Sequence, residues 1–112
     1  MMKDLSVVII TLNEERNIGR CIESVSGLAK EVVVVDSLST DRTKAIAEAA
    51  GARVVDQPFL GHIEQKNFAI EQASHEVILS LDADEALSTE LKSSIEKVLR
   101  RFDQDGYTMN RL

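Results

Sequence analysis

Short runs of β-branched residues, each followed by a segment with helical spacing, constrain the fold of this chain most strongly. The first run extends from Leu5 to Thr11, and a second, Val32 to Val35, ends at Asp36. Continuous apolar runs of this kind are typical of central parallel strands that are covered on both faces. Because parallel neighbours need a long crossover, usually a helix, we expect strands and helices to alternate along the chain.

Four segments between these runs have the spacing of amphipathic helices. The third is predicted from about His62 to Ala73. The residues expected to cap the start of the other helices are Asn13 for the first, Thr40 or Ser39 for the second and Ser88 for the fourth. Gly27 is expected to end the first helix and Gly51 the second. The positions expected to face the sheet are Ile18, Cys21, Ile22, Val25 and Leu28, then Ala45, Ile46, Ala49 and Ala50, and finally Leu91, Ile95, Val98, Leu99 and Phe102.

Three further strands complete the pattern. They are predicted at Ala52 to Val55, at Glu76 to Leu81 and from Gly106 to Leu112. The resulting order predicts a single α/β domain over residues 1–112, with a doubly wound, mostly parallel sheet. Because the chain stops within a strand pattern, we interpret it as the truncated amino-terminal part of a longer protein. An unfinished sheet has an open edge, through which the chain could form a homo-oligomer.

Charge and composition exclude several functions. A net charge of -6 disfavours nucleic acid as a partner, because phosphodiester backbones repel an acidic surface. No apolar stretch reaches the roughly 18 residues of a transmembrane segment, and the start lacks a signal-peptide pattern. The single cysteine, Cys21, cannot form an internal disulfide, and its position favours a buried small hydrophobe over a reactive thiol. We therefore expect a cytoplasmic protein, which could dock at the inner face of the membrane through other parts.

Two aspartates, Asp82 and Asp84, directly follow the apolar run Val77 to Leu81. In an open α/β sheet, ligands bind in the crevice outside the carboxyl ends of the strands. Two close carboxylates repel each other unless a cation or a proton offsets their charge, and hard divalent ions prefer oxygen ligands. This placement therefore predicts a Mg²⁺ or Mn²⁺ site. Glu85 could be a third ligand, although such a residue is more often solvated.

Other polar clusters should meet the same edge, because each of them also follows a strand. They are Thr11-Leu12-Asn13-Glu14 and Asp36-Ser37. Asp36 could accept hydrogen bonds from a base or ribose, although a lone aspartate there is as often a helix cap or turn former. The convergence of the clusters on one crevice favours a binding site.

The third helix allows two interpretations. Ile63, Lys66, Asn67 and Ile70 share one face, which would direct Lys66 toward a bound anion. An alternative apolar face through Phe68, Ala69 and Ala73 would leave Lys66 solvated. The two histidines, His62 and His75, lack metal-ligand spacing and are interpreted as surface or capping residues.

Four segments in this order resemble the amino-terminal half of family-2 glycosyltransferases, which have the GT-A fold. They are Ser6 to Glu14, Glu31 to Thr43, Gln65-Lys66-Asn67, and Ser80 to Glu85. The resemblance spans nearly the whole chain. Within the family, the chain looks most like bacterial lipopolysaccharide-core glucosyltransferases.

The resemblance implies a nucleotide pocket lined by Thr11, Asn13 and Glu14. It also implies further contacts to the nucleotide or ligands to a metal at Asp36, Lys66, Asp82 and Asp84. By resemblance, Asp36 contacts the uracil or ribose, Lys66 approaches the base or phosphates, and Asp82 and Asp84 hold the metal. Ser37-Leu38, and lysine instead of arginine at position 66, depart from many members. The family's catalytic base lies beyond residue 112, so we expect no transfer by these 112 residues alone.

The implied reaction moves a sugar from a nucleotide diphosphate donor, a UDP-sugar by expectation, to a saccharide or lipid-linked hydroxyl acceptor, with inversion. Its setting would be the biosynthesis of cell-envelope polysaccharide or lipopolysaccharide. Alternatives are a phosphatase of the haloacid dehalogenase type, a phospho-receiver module with Asp56 as the phosphoacceptor, and a nucleotide-binding module without catalysis. The phosphatase motif normally ends the first strand, whereas Asp82 ends the fourth. The receiver would need an acidic pair after its first strand, where this chain has Thr11-Leu12-Asn13.

Overall fold

Strands and helices alternate along the part of the chain that the computed structural model describes, residues 4–101 and 107–109. The alternation predicted from the sequence is confirmed. The elements are β1 (Leu5–Thr11), α1 (Ile18–Ser24), β2 (Glu31–Asp36), α2 (Thr43–Ala49), β3 (Arg53–Asp56), α3 (His62–Glu71), β4 (Val77–Asp82), α4 (Thr89–Arg101) and β5 (Tyr107–Met109).

The strands form one sheet in the order β3-β2-β1-β4-β5, and the neighbouring strands described in it run parallel. The chain first winds outward from β1 to β2 and β3, and then returns to place β4 on the other side of β1. Thr11 at the end of β1 lies opposite Asp36 of β2, and Ile10 lies opposite Asp82 of β4. The carboxyl ends of β1 and β4 therefore flank the switch point, where open α/β sheets bind ligands.

Both faces of the sheet are covered, which explains the unbroken apolar runs of the central strands. Side chains alternate between the faces along a strand, so Val7 and Ile9 pack on one side while Val8 packs on the other. The first face carries α1, α2 and α4, and the second carries α3. The predicted inward residues of α1 are all buried, as are Ile95 and Leu99 of α4. Phe102, predicted to face the sheet, lies outside the described residues.

The predicted inward face of α2 is correct at Ile46 and wrong at its three alanines. Thr43 and Ala47 are buried and Ile46 packs against the core, whereas Ala45, Ala49 and Ala50 are exposed. Alanine carries too little apolar surface to mark a face, so the run of alanines allowed several registers. In α3 the alternative apolar face is confirmed, because Phe68, Ala69 and Ala73 pack on the sheet while Ile63 is 73% exposed, although Ile70 packs there too. Lys66, which this alternative left solvated, is half-exposed and lies 3.5 Å from Asp82.

The helix ends were predicted in part. Ser88 caps α4, because its hydroxyl oxygen accepts a hydrogen bond from the amide of Leu91 at 3.1 Å. Gly51 follows α2 at a φ of 96°, a conformation that glycine adopts without strain. Ser39 and Thr40 do not cap α2, which begins at Thr43 with Arg42 at the cap position.

The last predicted strand is present as Tyr107–Met109, which pairs with β4 from Val77 to Leu79. Gly106 and residues 110–112 of that prediction lie outside the described residues.

At the amino edge of the sheet, half-buried His75 places Nδ1 2.9 Å from the Ser6 hydroxyl. His75, interpreted as a surface or capping residue, is 27% exposed in its side chain and in addition contacts the start of β1.

Candidate functional site

A pocket of about 680 Å³ opens at the carboxyl edge of the sheet, beside the switch point between β1 and β4. It is walled by the ends of these strands, by the segment after β3 and by the first turn of α3. Its lining residues are Ile10, Thr11, Leu12, Glu14, Ser37, Phe59, His62, Ile63, Gln65, Lys66, Asp82, Ala83 and Asp84.

Most of the site residues expected from the sequence meet in this pocket. Thr11, Glu14, Lys66, Asp82 and Asp84 all line it. The other two, Asn13 and Asp36, do not line it but hold the segments behind its wall. The structure thus brings the three strand-end clusters into one region, with Asp36 buried below the pocket and Asn13 exposed beside it.

Asp36 joins the ends of β1 and β2 under the pocket. Its carboxylate is completely buried, and it accepts hydrogen bonds from the Thr11 hydroxyl at 2.7 Å, the Ser39 hydroxyl at 2.6 Å and the Ser39 amide at 2.8 Å. A buried carboxylate is costly unless such donors replace its hydration. The network therefore fixes Thr11 and the 37–39 segment relative to each other.

Asn13 ties the segment after β1 to the segment after β2. It adopts a φ of 54°, which asparagine tolerates better than most residues. Its amide donates to the Ser39 hydroxyl at 2.8 Å, and its Oδ1 accepts from the Thr40 amide at 2.9 Å. The prediction that Asn13 caps α1 is wrong, because its side chain serves this contact between segments and Asn17 occupies the cap position.

Glu14 and Asp41 extend the same connection. The Glu14 amide donates to the Thr43 hydroxyl at 2.8 Å, and the Asp41 carboxylate accepts hydrogen bonds from the Glu15 amide and from the hydroxyl and amide of Thr43. Desolvation pushes the pKa of Asp41 upward, but these hydrogen bonds outweigh it and lower the pKa below its usual value. Asp41 therefore serves as the side-chain partner at the start of α2 that Ser39 and Thr40 were expected to be.

A β-turn after β4 carries the paired aspartates. The amide of Glu85 donates to the Asp82 carbonyl at 3.0 Å, and Oε1 of Glu85 accepts from the Asp82 amide at 2.8 Å. Ala83 is buried, whereas Asp84 is exposed in the pocket. Both aspartates thus line the pocket from a turn that is closed by backbone and side-chain hydrogen bonds.

Lys66 lies across the pocket from this turn. Its Nζ is 3.5 Å from Oδ1 of Asp82, with 40% of the lysine side chain exposed. An exposed pair of this kind contributes little to stability. It would therefore cost the ammonium group little free energy to exchange this carboxylate for another anion that enters the pocket.

The donor set at the turn suits a divalent cation that brings ligands of its own. Among the described residues, no group of three or more histidine, cysteine, aspartate or glutamate side chains is arranged to hold a metal. Mg²⁺ and similar ions are commonly bound by one or two carboxylates, with phosphate and water oxygens completing the shell. Asp82 and Asp84 match that requirement, and a nucleotide diphosphate would supply the phosphates.

Gln65 belongs to a segment that carries the family resemblance, but the sequence did not reveal its structural role at the pocket. It is completely buried; its Oε1 accepts from the Leu60 amide at 3.1 Å, and its Nε2 donates to the Ser37 hydroxyl at 3.0 Å and the Gln57 carbonyl at 3.2 Å. The amide thus holds the segment after β3 against the end of β2. A glutamine on the apolar face of α3, four residues before Ala69, was the signal available in the sequence.

The pocket also has an apolar wall. Phe59 and His62 meet edge to face, with ring centroids 5.4 Å apart, and Phe59 is 53% exposed. His62 is a surface residue as expected, but it also lines the pocket. Exposed rings beside polar groups are suited to contact a planar ligand group.

Cys21 lies behind the aspartate turn, and its Sγ is 3.7 Å from the Asp82 carbonyl. Burial, followed by the negative charges of Glu85 and Asp84, raises the pKa of this thiol to about 12. Because only the thiolate is nucleophilic, we predict that iodoacetamide at pH 8 leaves Cys21 unmodified in the folded chain and alkylates it in urea. Intact mass measures both, and rapid alkylation of the folded chain would contradict the buried position.

A larger groove, of about 1090 Å³, lies between α1, α2 and the amino edge of the sheet. Apolar side chains such as Ile22, Val25 and Ile46 form much of its wall. None of the strand-end clusters reaches it. We therefore place the chemistry in the smaller pocket at the carboxyl edge.

Comparison with known proteins identifies the family of the chain. The model of the family described as glycosyl transferase family 2 matches residues 6–110, and the chain belongs to this family. An uncharacterized glycosyltransferase of Rickettsia bellii is 49% identical over 107 residues, covering 96% of this chain and 36% of that protein. The lipopolysaccharide core biosynthesis glycosyltransferase LpsC of Rhizobium meliloti is 42% identical over 105 residues, covering 89% and 38%.

Solved structures confirm the predicted fold. Glucosyl-3-phosphoglycerate synthase from Mycobacterium tuberculosis, in complex with Mn²⁺, UDP and glucosyl-3-phosphoglycerate, superposes with a TM-score of 0.64 at 33% identity, covering 75% of this chain and 36% of that one. The architecture is that of the GT-A glycosyltransferases. The chain spans little more than a third of the length of these relatives. In the described part of the chain, no helix has the length and apolar character needed to cross a bilayer.

Proposed function

We propose that this chain forms the nucleotide-sugar-binding part of a metal-assisted, inverting glycosyltransferase that uses a UDP-sugar and acts in the biosynthesis of lipopolysaccharide or another cell-envelope polysaccharide. The observation that carries the proposal is the meeting of Thr11, Glu14, Lys66, Asp82 and Asp84 in one pocket at the switch point of the sheet. The similarity to a lipopolysaccharide core enzyme and to a synthase solved with UDP and Mn²⁺ supports it.

The two sides of the pocket differ in chemistry. This difference supports a binding mode in which one side takes the nucleoside of the donor and the other takes its diphosphate. Thr11, Asn13, Glu14 and Asp36 belong to the side that would take the uracil and ribose. A direct contact from Asp36 requires the surrounding segment to move, because Asp36 is completely buried and its carboxylate accepts three hydrogen bonds within the protein. Thr11 lines the pocket, but only 4% of it is exposed, so it would offer the nucleotide a small contact surface.

The other side would take the diphosphate. Lys66 offers a mobile positive charge, and Asp82 and Asp84 offer the oxygen ligands for a divalent cation. When bound, such a cation neutralises the charge that grows on the departing diphosphate, which is worth several kcal/mol of transition-state stabilisation. Lys66 adds to the same effect from the α3 side, since its Nζ already lies 3.5 Å from Asp82.

The reaction is a single displacement at the anomeric carbon. The acceptor hydroxyl oxygen forms a bond to this carbon from the side opposite the diphosphate, the bond from the carbon to the β-phosphate oxygen breaks, and the hydroxyl proton passes to a base. No described pocket residue is assigned as that base. The acceptor would be a saccharide or a lipid-linked sugar.

A phospho-receiver function has less support. Its phosphoacceptor would be Asp56 at the end of β3, but this residue lies outside the pocket and pairs with Lys44 at 2.9 Å. The family assignment points to sugar transfer instead.

A thermal-shift comparison of UDP-, GDP- and TDP-glucose, each with and without Mn²⁺, tests the proposal. A ligand at about 100 times its Kd stabilises the folded state by about 2.7 kcal/mol. For a domain of this size, we expect UDP-glucose with Mn²⁺ to raise Tm by roughly 10 °C, and the other combinations to raise it less. An equal response to all three nucleotides, or a response to UDP-glucose that does not depend on Mn²⁺, would contradict the assignment.

A further inference from the structure

We propose that Glu85 is a positioning residue for the cation site. Its side chain holds the turn that presents Asp82 and Asp84 and is not itself a ligand. The inference rests on the proposed function, because it concerns the metal of the same pocket. It assigns a distinct role to the third acidic residue of the Asp82 to Glu85 segment.

The hydrogen bonds of the turn carry the inference. Oε1 of Glu85 accepts from the Asp82 amide at 2.8 Å, and the Glu85 amide donates to the Asp82 carbonyl at 3.0 Å. The two residues therefore close the turn from both sides, once through the backbone and once through the side chain. The backbone of Asp84, at the exposed corner of this turn, cannot move far without breaking one of these bonds.

The side-chain bond also meets a requirement of the Asp82 backbone. A backbone N–H that is shielded from water must find an acceptor. For the half-buried Asp82, the Glu85 carboxylate provides it at 2.8 Å.

The positions of the three carboxylates distinguish the residue that holds the turn from the residues that would bind the cation. Asp82 and Asp84 line the pocket, whereas Glu85 does not, and one of its oxygens is engaged with the backbone. Residues that orient metal ligands in this way typically change metal affinity 10- to 100-fold when they are removed. A fixed turn raises the affinity for the cation because it has less conformational freedom to lose when the cation binds.

Two substitutions distinguish the roles. Glutamine keeps an acceptor oxygen for the Asp82 amide but removes the charge, while alanine removes both. With Mn²⁺ and UDP, and free Mn²⁺ followed by electron paramagnetic resonance, we expect Glu85→Ala to weaken Mn²⁺ binding about 10- to 100-fold. We expect Glu85→Gln to stay within about threefold of the wild type, the effect of a change below 1 kcal/mol. Glu90→Ala, a nearby exposed acid at the start of α4, is the matched control and should leave affinity unchanged.

The outcomes separate this inference from the proposed function. Equal losses in Glu85→Gln and Glu85→Ala would show that the charge acts as a ligand and would overturn the positioning role, as would unchanged binding in both. A purely structural role would lower Tm in Glu85→Ala without changing Mn²⁺ affinity, which also overturns it. If the wild type binds no Mn²⁺ with UDP, the proposed function fails together with the cation role of Glu85.

Amide hydrogen exchange tests the turn itself without metal. We expect the Asp82 amide to exchange faster in Glu85→Ala than in the wild type, and to remain protected in Glu85→Gln. Equal protection in all three chains would overturn the hydrogen-bond argument.

Discussion

Asp84→Ala is expected to abolish Mn²⁺-dependent binding of UDP to this chain. The substitution removes one of the two carboxylates that line the pocket from the turn after β4, and alanine offers no oxygen in its place. A cation held through one or two carboxylates and the ligand's phosphates then loses a large part of its protein attachment. We expect the affinity for UDP with Mn²⁺ to fall at least about 100-fold, equivalent to about 2.7 kcal/mol, as measured by calorimetry.

The same substitution at Asp56 is the control for Asp84. Asp56 also ends a strand at the carboxyl edge, but it pairs with Lys44 outside the pocket. Asp56→Ala should therefore leave the Mn²⁺-dependent affinity for UDP within about twofold of the wild type, since an exposed ion pair contributes little. Unchanged UDP affinity in Asp84→Ala would count against the metal assignment.

Gln65→Leu is expected to destabilise the chain more than any surface substitution. Leucine has nearly the volume of glutamine but leaves the Leu60 amide, the Ser37 hydroxyl and the Gln57 carbonyl without their partner. Each buried polar group that loses its partner costs about 1–3 kcal/mol, and part of this loss is recovered where water can enter. We expect the free energy of unfolding to fall by about 2–4 kcal/mol, measured by urea denaturation.

Gln72→Leu, at the C-cap position of the same helix, is the matched control. Its amide makes a local hydrogen bond to the Phe68 carbonyl at 3.4 Å from a half-buried position. We expect this variant to lose less than about 1 kcal/mol. Equal losses in the two variants would mean that Gln65 acts only through helix propensity, and that it does not hold the segment after β3.

The order of strands and helices was predictable because each element carries its own signal. In Val7, Val8 and Ile9, both faces of one strand are apolar, which is expected only where helices cover both sides of the sheet. The inward face of α2 was not predictable, because its alanines bury equally well in several registers. For this helix, the packing of Ile46 and Ala47 against the sheet decided the orientation.

The candidate site was predictable where residues follow a strand directly. The position of Asp82 and Asp84 depends only on the direction of β4, which the sequence indicated. Asn13 and Gln65 were different, because their partners Ser39 and Ser37 lie 26 and 28 residues away along the chain. Such long-range hydrogen bonds depend on strand order and register, which the local pattern of one segment does not contain.

Paramagnetic broadening of assigned amide signals tests the central claim most directly, namely that one cation and its nucleotide bind where the three strand ends meet. With UDP and Mn²⁺, and with Mg²⁺ as the diamagnetic reference, we predict strong broadening in 11–14, in 37–39 and in 82–85. Amides at the amino edge, such as those of Glu31 and Ser74, lie about 20 Å away along the strands and should keep their signals. Broadening centred on the amino edge, or confined to only one of the three segments, would contradict the account.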